Sequence, residues 1–179
     1  MTFAGRRAAL AALPVLALLL AACATPTRPP PAAGWVAGKL SLRVEATDVQ
    51  PERGLSALFE LRGDADSGEL QLTSPLGTLV AVARWAPGQA VLRTTEGEQR
   101  FGDLDALARG ALGESLPLRA LPAWLRGRPW DGAASRATTE GFEQLGWQVG
   151  LDRFAEGLIT MTRPAPPAVT LRARLERDG

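Results

Sequence analysis

Polar and apolar residues alternate with a period of two over much of this chain. Residues 39–45, Lys-Leu-Ser-Leu-Arg-Val-Glu, do so without interruption. That is the pattern of a strand with one buried face and one wet face. Residues 57–62 repeat it with Ala57, Phe59 and Leu61 inward, and residues 69–73 repeat it again. Residues 50–54 and 63–68 read as the loop and the turn between them. Residues 78–85 predict a fourth strand with Leu79, Ala81, Ala83 and Trp85 on one face. Pro87-Gly88 turns it into a fifth at 89–93, and Glu96-Gly97-Glu98 turns that. Successive strands with short turns predict an antiparallel meander.

The period then changes. Asp103 can N-cap a helix with Leu104, Leu107, Ala108 and Ala111 on one stripe, ended by Gly113. A second helical piece carries Leu118, Leu121, Trp124 and Leu125 and ends at Gly127, with Pro117 or Pro122 in its first turn. Strands resume at 142–151, with Trp147, Val149 and Leu151 on one face, then at 157–162 and 169–175. The expected fold is mainly β with a small α insertion. Two packed sheets, a closed barrel, or a curved sheet lidded by the helices would each cover the apolar faces. Only the last leaves an apolar hollow.

The start of the chain reads differently. Arg6 and Arg7 precede an apolar run at 8–20, which is too short for a span of about 20 residues. A charged start, a short apolar middle and small residues at the end make a secretory signal, residues 1–22. Its end, Leu20-Ala21-Ala22-Cys23, resembles the lipobox of bacterial lipoproteins, with cleavage before Cys23 and lipid attached to it. Cys23 is the single cysteine, so no disulfide can form within the chain. Ala24 replaces the Asp that favours inner-membrane retention in enterobacterial lipoproteins, which by resemblance points to the outer membrane. Residues 23–33 are a tether holding four prolines, and residues 34–179 suit one domain.

Composition removes several chemistries. The chain has no His, and acylation would consume its only Cys. Ser-His and Cys-His catalysis are therefore excluded. Asp103 with Asp105 and Glu140 with Glu143 are the near carboxylate pairs, and read more simply as a helix cap and a solvated loop. Lys+Arg number 20 against 19 Asp+Glu, without a basic run, so nucleic acid is not an expected partner. No enzyme, metal or cofactor is expected.

Thr73-Ser74-Pro75-Leu76-Gly77 holds the anomaly. Pro second and Gly fourth suit a type I turn. Leu76 would then stand where turn residues are normally polar, and exposing it forgoes roughly 1.5–3 kcal/mol of burial. It either folds back onto the sheet or serves as a probe that enters lipid or a partner. Trp124 and Trp147 read equally as core or as the wall of a cavity.

Several stretches, in order, resemble the LolB family of outer-membrane lipoprotein receptors. They are the Cys with its Pro-rich tether, Trp35-Val36-Ala37-Gly38-Lys39-Leu40-Ser41-Leu42-Arg43, and Leu70-Gln71-Leu72-Thr73-Ser74-Pro75-Leu76-Gly77. Further on come Leu116-Pro117-Leu118-Arg119-Ala120-Leu121, Trp124-Leu125-Arg126-Gly127-Arg128-Pro129 and Phe142-Glu143-Gln144-Leu145-Gly146-Trp147-Gln148-Val149. The resemblance implies a curved, incomplete β-barrel lidded by helices around a cavity for acyl chains. It implies a monomer, lipid-anchored in the outer membrane and facing the periplasm, that takes lipoproteins from a LolA-type carrier and inserts them into that membrane. Leu76, flanked by Pro75 and Gly77, matches the family's membrane-inserting loop. The implied acyl-chain wall is Leu42, Val44, Phe59, Leu61, Leu70, Leu72, Trp124, Leu125, Trp147 and Val149. Tyr is absent and aromatics are sparse, so aliphatic side chains would dominate that wall. A structural or assembly lipoprotein without acyl cargo, and a lipocalin-type carrier of free fatty acid, remain alternatives.

Overall fold

A computed structural model describes residues 34–49, 51–112 and 116–176. The expected signal segment, Cys23, the tether and Gly113 lie outside the described residues. The first half runs β1 (Val36–Val44), β2 (Arg53–Gly63), β3 (Gly68–Thr73), β4 (Leu79–Ala86), β5 (Gln89–Thr94) and β6 (Gly97–Phe101). Helices α1 (Leu104–Leu112) and α2 (Leu121–Trp124) follow. The second half is β7 (Ser135–Ala137), β8 (Gly141–Gln144), β9 (Trp147–Gly150), a 3-10 turn at Phe154–Glu156, β10 (Leu158–Arg163) and β11 (Val169–Leu175).

All eleven strands form one antiparallel sheet, in the order β6-β5-β4-β3-β2-β1-β11-β10-β9-β8-β7. Two meanders are thus joined where β1 pairs β11, with Leu40 opposite Ala173, Leu42 opposite Leu171 and Val44 opposite Val169. The seam is tight at Gly38, where a Cβ would lie 2.1 Å from the Arg174 carbonyl oxygen. β6 and β7 are the edges, so the sheet is open: neither two packed sheets nor a closed barrel. The chain between them, which carries both helices, must pass from one edge to the other. α1 contacts β5 and β6, and α2 contacts β2.

One face of the sheet is dry. Phe59, Leu61, Val149, Ile159 and Met161 are fully buried there. Trp124 joins them from α2, 6.1 Å from the Trp147 ring and 6.3 Å from Phe142. Asp103 caps α1 through its Oδ1, which accepts the Ala106 N–H at 2.7 Å.

Several expectations are corrected. Residues 142–151 form a hairpin, not one strand: Leu145 (φ 56°) and Gly146 (φ 77°) turn the chain between β8 and β9. Two left-handed residues are what a two-residue hairpin turn requires, and Leu-Gly lacks the Asn or Asp that usually announces it. Residues 97–101, expected to begin with a turn, form β6, and β7 is a further edge strand. Every residue of β7 is exposed, so it carries no alternation to read. α2 is shorter than expected. Leu118 lies in the turn before it, and Pro122 sits in its first turn. Finally, Leu79 does not share a face with Ala81, Ala83 and Trp85. The register shifts between Leu72 and Thr73, which face Ala81 and Leu79, leaving Val80 as the extra residue. An extra residue reverses the in–out parity beyond it, so Leu79 takes the face of Thr73 and is half exposed.

Candidate functional site: a leucine-lined hollow and an apolar tip

The turn between β3 and β4 is held by its own backbone. The Gly77 N–H donates to the Ser74 carbonyl at 2.9 Å and the Ser74 N–H to the Thr78 carbonyl at 2.8 Å. The Ser74 hydroxyl accepts the Thr78 N–H at 3.2 Å. Gly77 has φ 87°, a left-handed conformation that glycine adopts without strain. Leu76 therefore projects from a defined turn, 94% exposed, and does not fold back onto the sheet. The bulge adds Leu79 (50% exposed) and Val80 (39%) beside it. Sequence alternation missed both, because nothing in it marks the bulge.

Two residues before Ser74, Leu72 borders a hollow of about 70 Å³. Leu40, Leu42, Leu55, Leu70 and Leu171 of the sheet line it with Leu72. Trp147 of β9 also lines it, together with Leu116, Pro117, Leu118, Leu121 and Trp124 from within and before α2. Of the expected wall, Leu42, Leu70, Leu72, Trp124 and Trp147 border the hollow. Val44, Phe59, Leu61, Leu125 and Val149 are buried in the surrounding core. Leu40 and Leu171 share the inward parity of Leu42, the signal by which alternation finds them. A water occupies about 10–15 Å³ of such a space, so the hollow has room for about five to seven water-sized groups. A long acyl chain is several times larger.

The segment that brings Leu121 and Trp124 to the hollow is held by a buried polar side chain. Gln144, on β8, is 3% exposed. Its Oε1 accepts the Trp124 indole N–H at 2.8 Å and the Trp130 backbone N–H at 2.9 Å. Its Nε2 donates to the carbonyls of Trp130 and Ala133, both at 2.7 Å. Both lone pairs of the amide oxygen and both of its N–H donors are thereby used.

The wet face carries the other buried polar group. Glu69 of β3 lies between Arg62 of β2 and Arg84 of β4 and accepts from each at 2.9 Å, while Gln71 donates to it at 2.6 Å. Burial pushes its carboxyl upward, but the bonds from Arg84, Gln71 and Arg62 outweigh this and hold it at about 2. The near carboxylate pairs have structural partners: Asp103 caps α1, and Glu143 accepts from Arg136 at 2.6 Å. Among the described residues no three His, Cys, Asp or Glu side chains gather as metal ligands. No helix among them is long and apolar enough to cross a membrane.

Residues 35–177 match the family model of the outer membrane lipoprotein LolB. The chain is 34% identical over 167 residues to the outer-membrane lipoprotein LolB of Bordetella pertussis, covering 85% of this chain and 83% of that one. It is 34% identical over 174 residues to the protein of the same name from Chromobacterium violaceum, covering 92% and 89%.

Proposed function

The chain belongs to the LolB family of outer membrane lipoproteins, and from that premise we propose that it is a lipoprotein receptor of the outer membrane. It is anchored by lipid on Cys23, faces the periplasm, accepts lipoproteins from a LolA-type carrier and delivers them to the membrane. The observation that carries this reading is an apolar hollow and an exposed apolar tip supplied by one short stretch of chain. Leu70 and Leu72 of β3 line the hollow, and Leu76, in the turn that follows, is the exposed tip.

Transfer needs no covalent chemistry. Acyl chains leave the carrier for an apolar space of higher affinity, each tenfold step being about 1.4 kcal/mol. Because the hollow of about 70 Å³ is smaller than its cargo, the segment holding Leu116, Leu118, Leu121 and Trp124 acts as a lid that moves aside. Each methylene then covered contributes about 0.8 kcal/mol. Leu76, with Leu79 and Val80, enters the bilayer surface and brings the chains to it.

The test is transfer of a labelled lipoprotein from its purified periplasmic carrier to the mature chain bearing Cys23→Ala, and onward to vesicles. Cargo should move onto the chain, and Leu76→Glu should leave that step intact while impairing delivery. No movement onto a folded chain, with an active carrier from the same organism, sinks the receptor reading and favours a structural lipoprotein. Loss of cargo acceptance in Leu76→Glu counts against the tip's role.

A further inference from the structure

The wet face beside the tip carries a row of cations. Lys39 on β1 stands opposite Arg174 on β11, and Ser41 stands opposite Arg172. Directly opposed residues lie about 4.5–5.5 Å apart and diagonal ones about 7–8 Å, so the three charges fall within reach of one phosphate-sized group. All three residues are exposed, and none makes an ion pair among the described residues. Their neighbours differ: Arg43 is tied to Glu52 at 2.7 Å, and Arg62 and Arg84 are tied to Glu69. Among the neighbouring carboxylates, Glu156 lies near Arg174 and is already bonded by Arg153, while Glu60 stands two residues from the Lys39 partner on β2 and Glu176 two residues beyond Arg174.

The three cations share a groove with the hydroxyl-bearing Ser41 and Ser56 and with Pro75. Pro75 is the residue next to Leu76, so the turn that raises the apolar tip also forms one wall of the basic groove. A cationic floor with an apolar spike at its rim matches an anionic headgroup layer over hydrocarbon.

We propose that this groove, with Lys39, Arg172 and Arg174 as its cations, is a docking site for the phosphate of anionic phospholipid headgroups, seated as Leu76 enters the acyl region. This rests on the reading of Leu76 as a membrane-entering residue. It adds a lipid preference and an orientation, with the outer face of β1 and β11 turned to the membrane.

The described strands, helices and core cluster lie within residues 34–176, so the acyl group contributes nothing to the described fold. The probe is therefore the mature chain with Cys23→Ala, tether retained. It is floated with vesicles of phosphatidylcholine alone or of equal parts phosphatidylcholine and phosphatidylglycerol. Lys39 is the single lysine of the chain, so an amine-reactive reagent, read by peptide mass, reports its exposure apart from the α-amino group.

The wild type should prefer the mixed vesicles, which should shield Lys39 from the reagent. The triple variant Lys39→Gln, Arg172→Gln, Arg174→Gln should lose that preference. A cation near an anionic surface contributes about fivefold in affinity, so the loss is on the order of a hundredfold. Arg172→Lys with Arg174→Lys should retain the preference, and circular dichroism should find each variant folded. Leu76→Glu should weaken binding to both compositions while keeping the preference.

Equal binding of wild type and the triple variant to mixed vesicles, or unprotected Lys39, overturns the proposal. So does displacement by inorganic phosphate beyond that by chloride of matched ionic strength, which marks a free-anion site. So does a triple variant that binds vesicles normally but no longer accepts cargo, which assigns the row to the carrier protein. Cargo acceptance without anionic preference removes the headgroup site and leaves the receptor reading standing; preference without cargo acceptance does the reverse.

Discussion

Replacing Gln144 by Leu should loosen the segment that borders the hollow without dissolving the sheet. The amide makes four hydrogen bonds, to the Trp124 indole, both backbone groups of Trp130 and the Ala133 carbonyl. Leu is similar in size and can replace none of them. Each buried group left without a partner costs about 1–3 kcal/mol. Trp124 is 1% exposed and its indole N–H pays in full. Trp130 and Ala133 are half-buried and regain water only in part when the loop shifts, so their three groups cost about 1 kcal/mol each. Burial of the new methyls returns about 1–2 kcal/mol. The net loss should be about 2–5 kcal/mol, against the 5–15 kcal/mol of a typical domain. Urea unfolding of the Cys23→Ala chain, followed by tryptophan fluorescence, measures the loss. Hydrogen exchange locates it, and protection should fall across residues 116–133 while β1, β2 and β11 stay protected. Gln148→Leu, on the exposed side of β9, is the control and should stay within about 0.5 kcal/mol. A Gln144→Leu loss under about 1 kcal/mol, or one spread evenly over the sheet, would refute the pin.

Three further outcomes are expected. The Glu69 carboxyl is held at about 2 against an ordinary 4.5, so it stabilises the fold above pH 4.5, and that contribution drains away as pH falls from 4.5 towards 2. It is worth at most about 3 kcal/mol, less where the exposed arginines are screened; urea midpoints of wild type and Glu69→Gln should converge across this window, and parallel curves would show that Glu69 contributes nothing. Gly38→Ala puts a Cβ 2.1 Å from the Arg174 carbonyl and should cost about 1–3 kcal/mol by overpacking the β1–β11 seam, read as a lowered midpoint with faster exchange in both strands. Asp103→Ala removes the α1 cap and should cost about 1 kcal/mol, with lost protection confined to the first turn of α1.

The legible parts of this fold are those where side-chain pattern and environment agree. β3, β11 and the 39–44 stretch of β1 alternate strictly because one face is dry and the other wet, while β2 and β5 were legible although Leu58 and Val91 interrupt their alternation. Asp103 announced α1 because a carboxylate there satisfies a free N–H. What escaped did so for identifiable reasons. β7 has no buried face to write a pattern. The Leu145-Gly146 turn lies inside a run whose apolar residues look continuous. The bulge at Val80 is a backbone event with no residue-type signature, and it determines that Leu79 and Val80 accompany Leu76 in the open. For Leu76 the sequence left two readings, and its exposure in the turn removes the one in which it folds back onto the sheet. Core and cavity wall are written in the same residues, so alternation selected Val44, Phe59 and Leu61 along with Leu42 and Leu72.

In the transfer proposed above, the topology would let the segment bordering the hollow move aside without cost to the sheet. Both meanders and the β1–β11 seam are complete without the segment that joins β6 to β7, since every strand except the two edges has neighbours on both sides. Displacing residues 116–133 therefore breaks no ladder hydrogen bond. It breaks the four bonds of Gln144 and parts Trp124 from Phe142 and Trp147. The Trp124 contacts are apolar and incoming chains can replace them, whereas the Gln144 bonds are directional and a hydrocarbon cannot. In that transfer, cargo would therefore offset the loss of packing but not the loss of the pin. The Gln144 amide, with the Arg119–Asp66 ion pair, would be the directional part of what holds the segment closed.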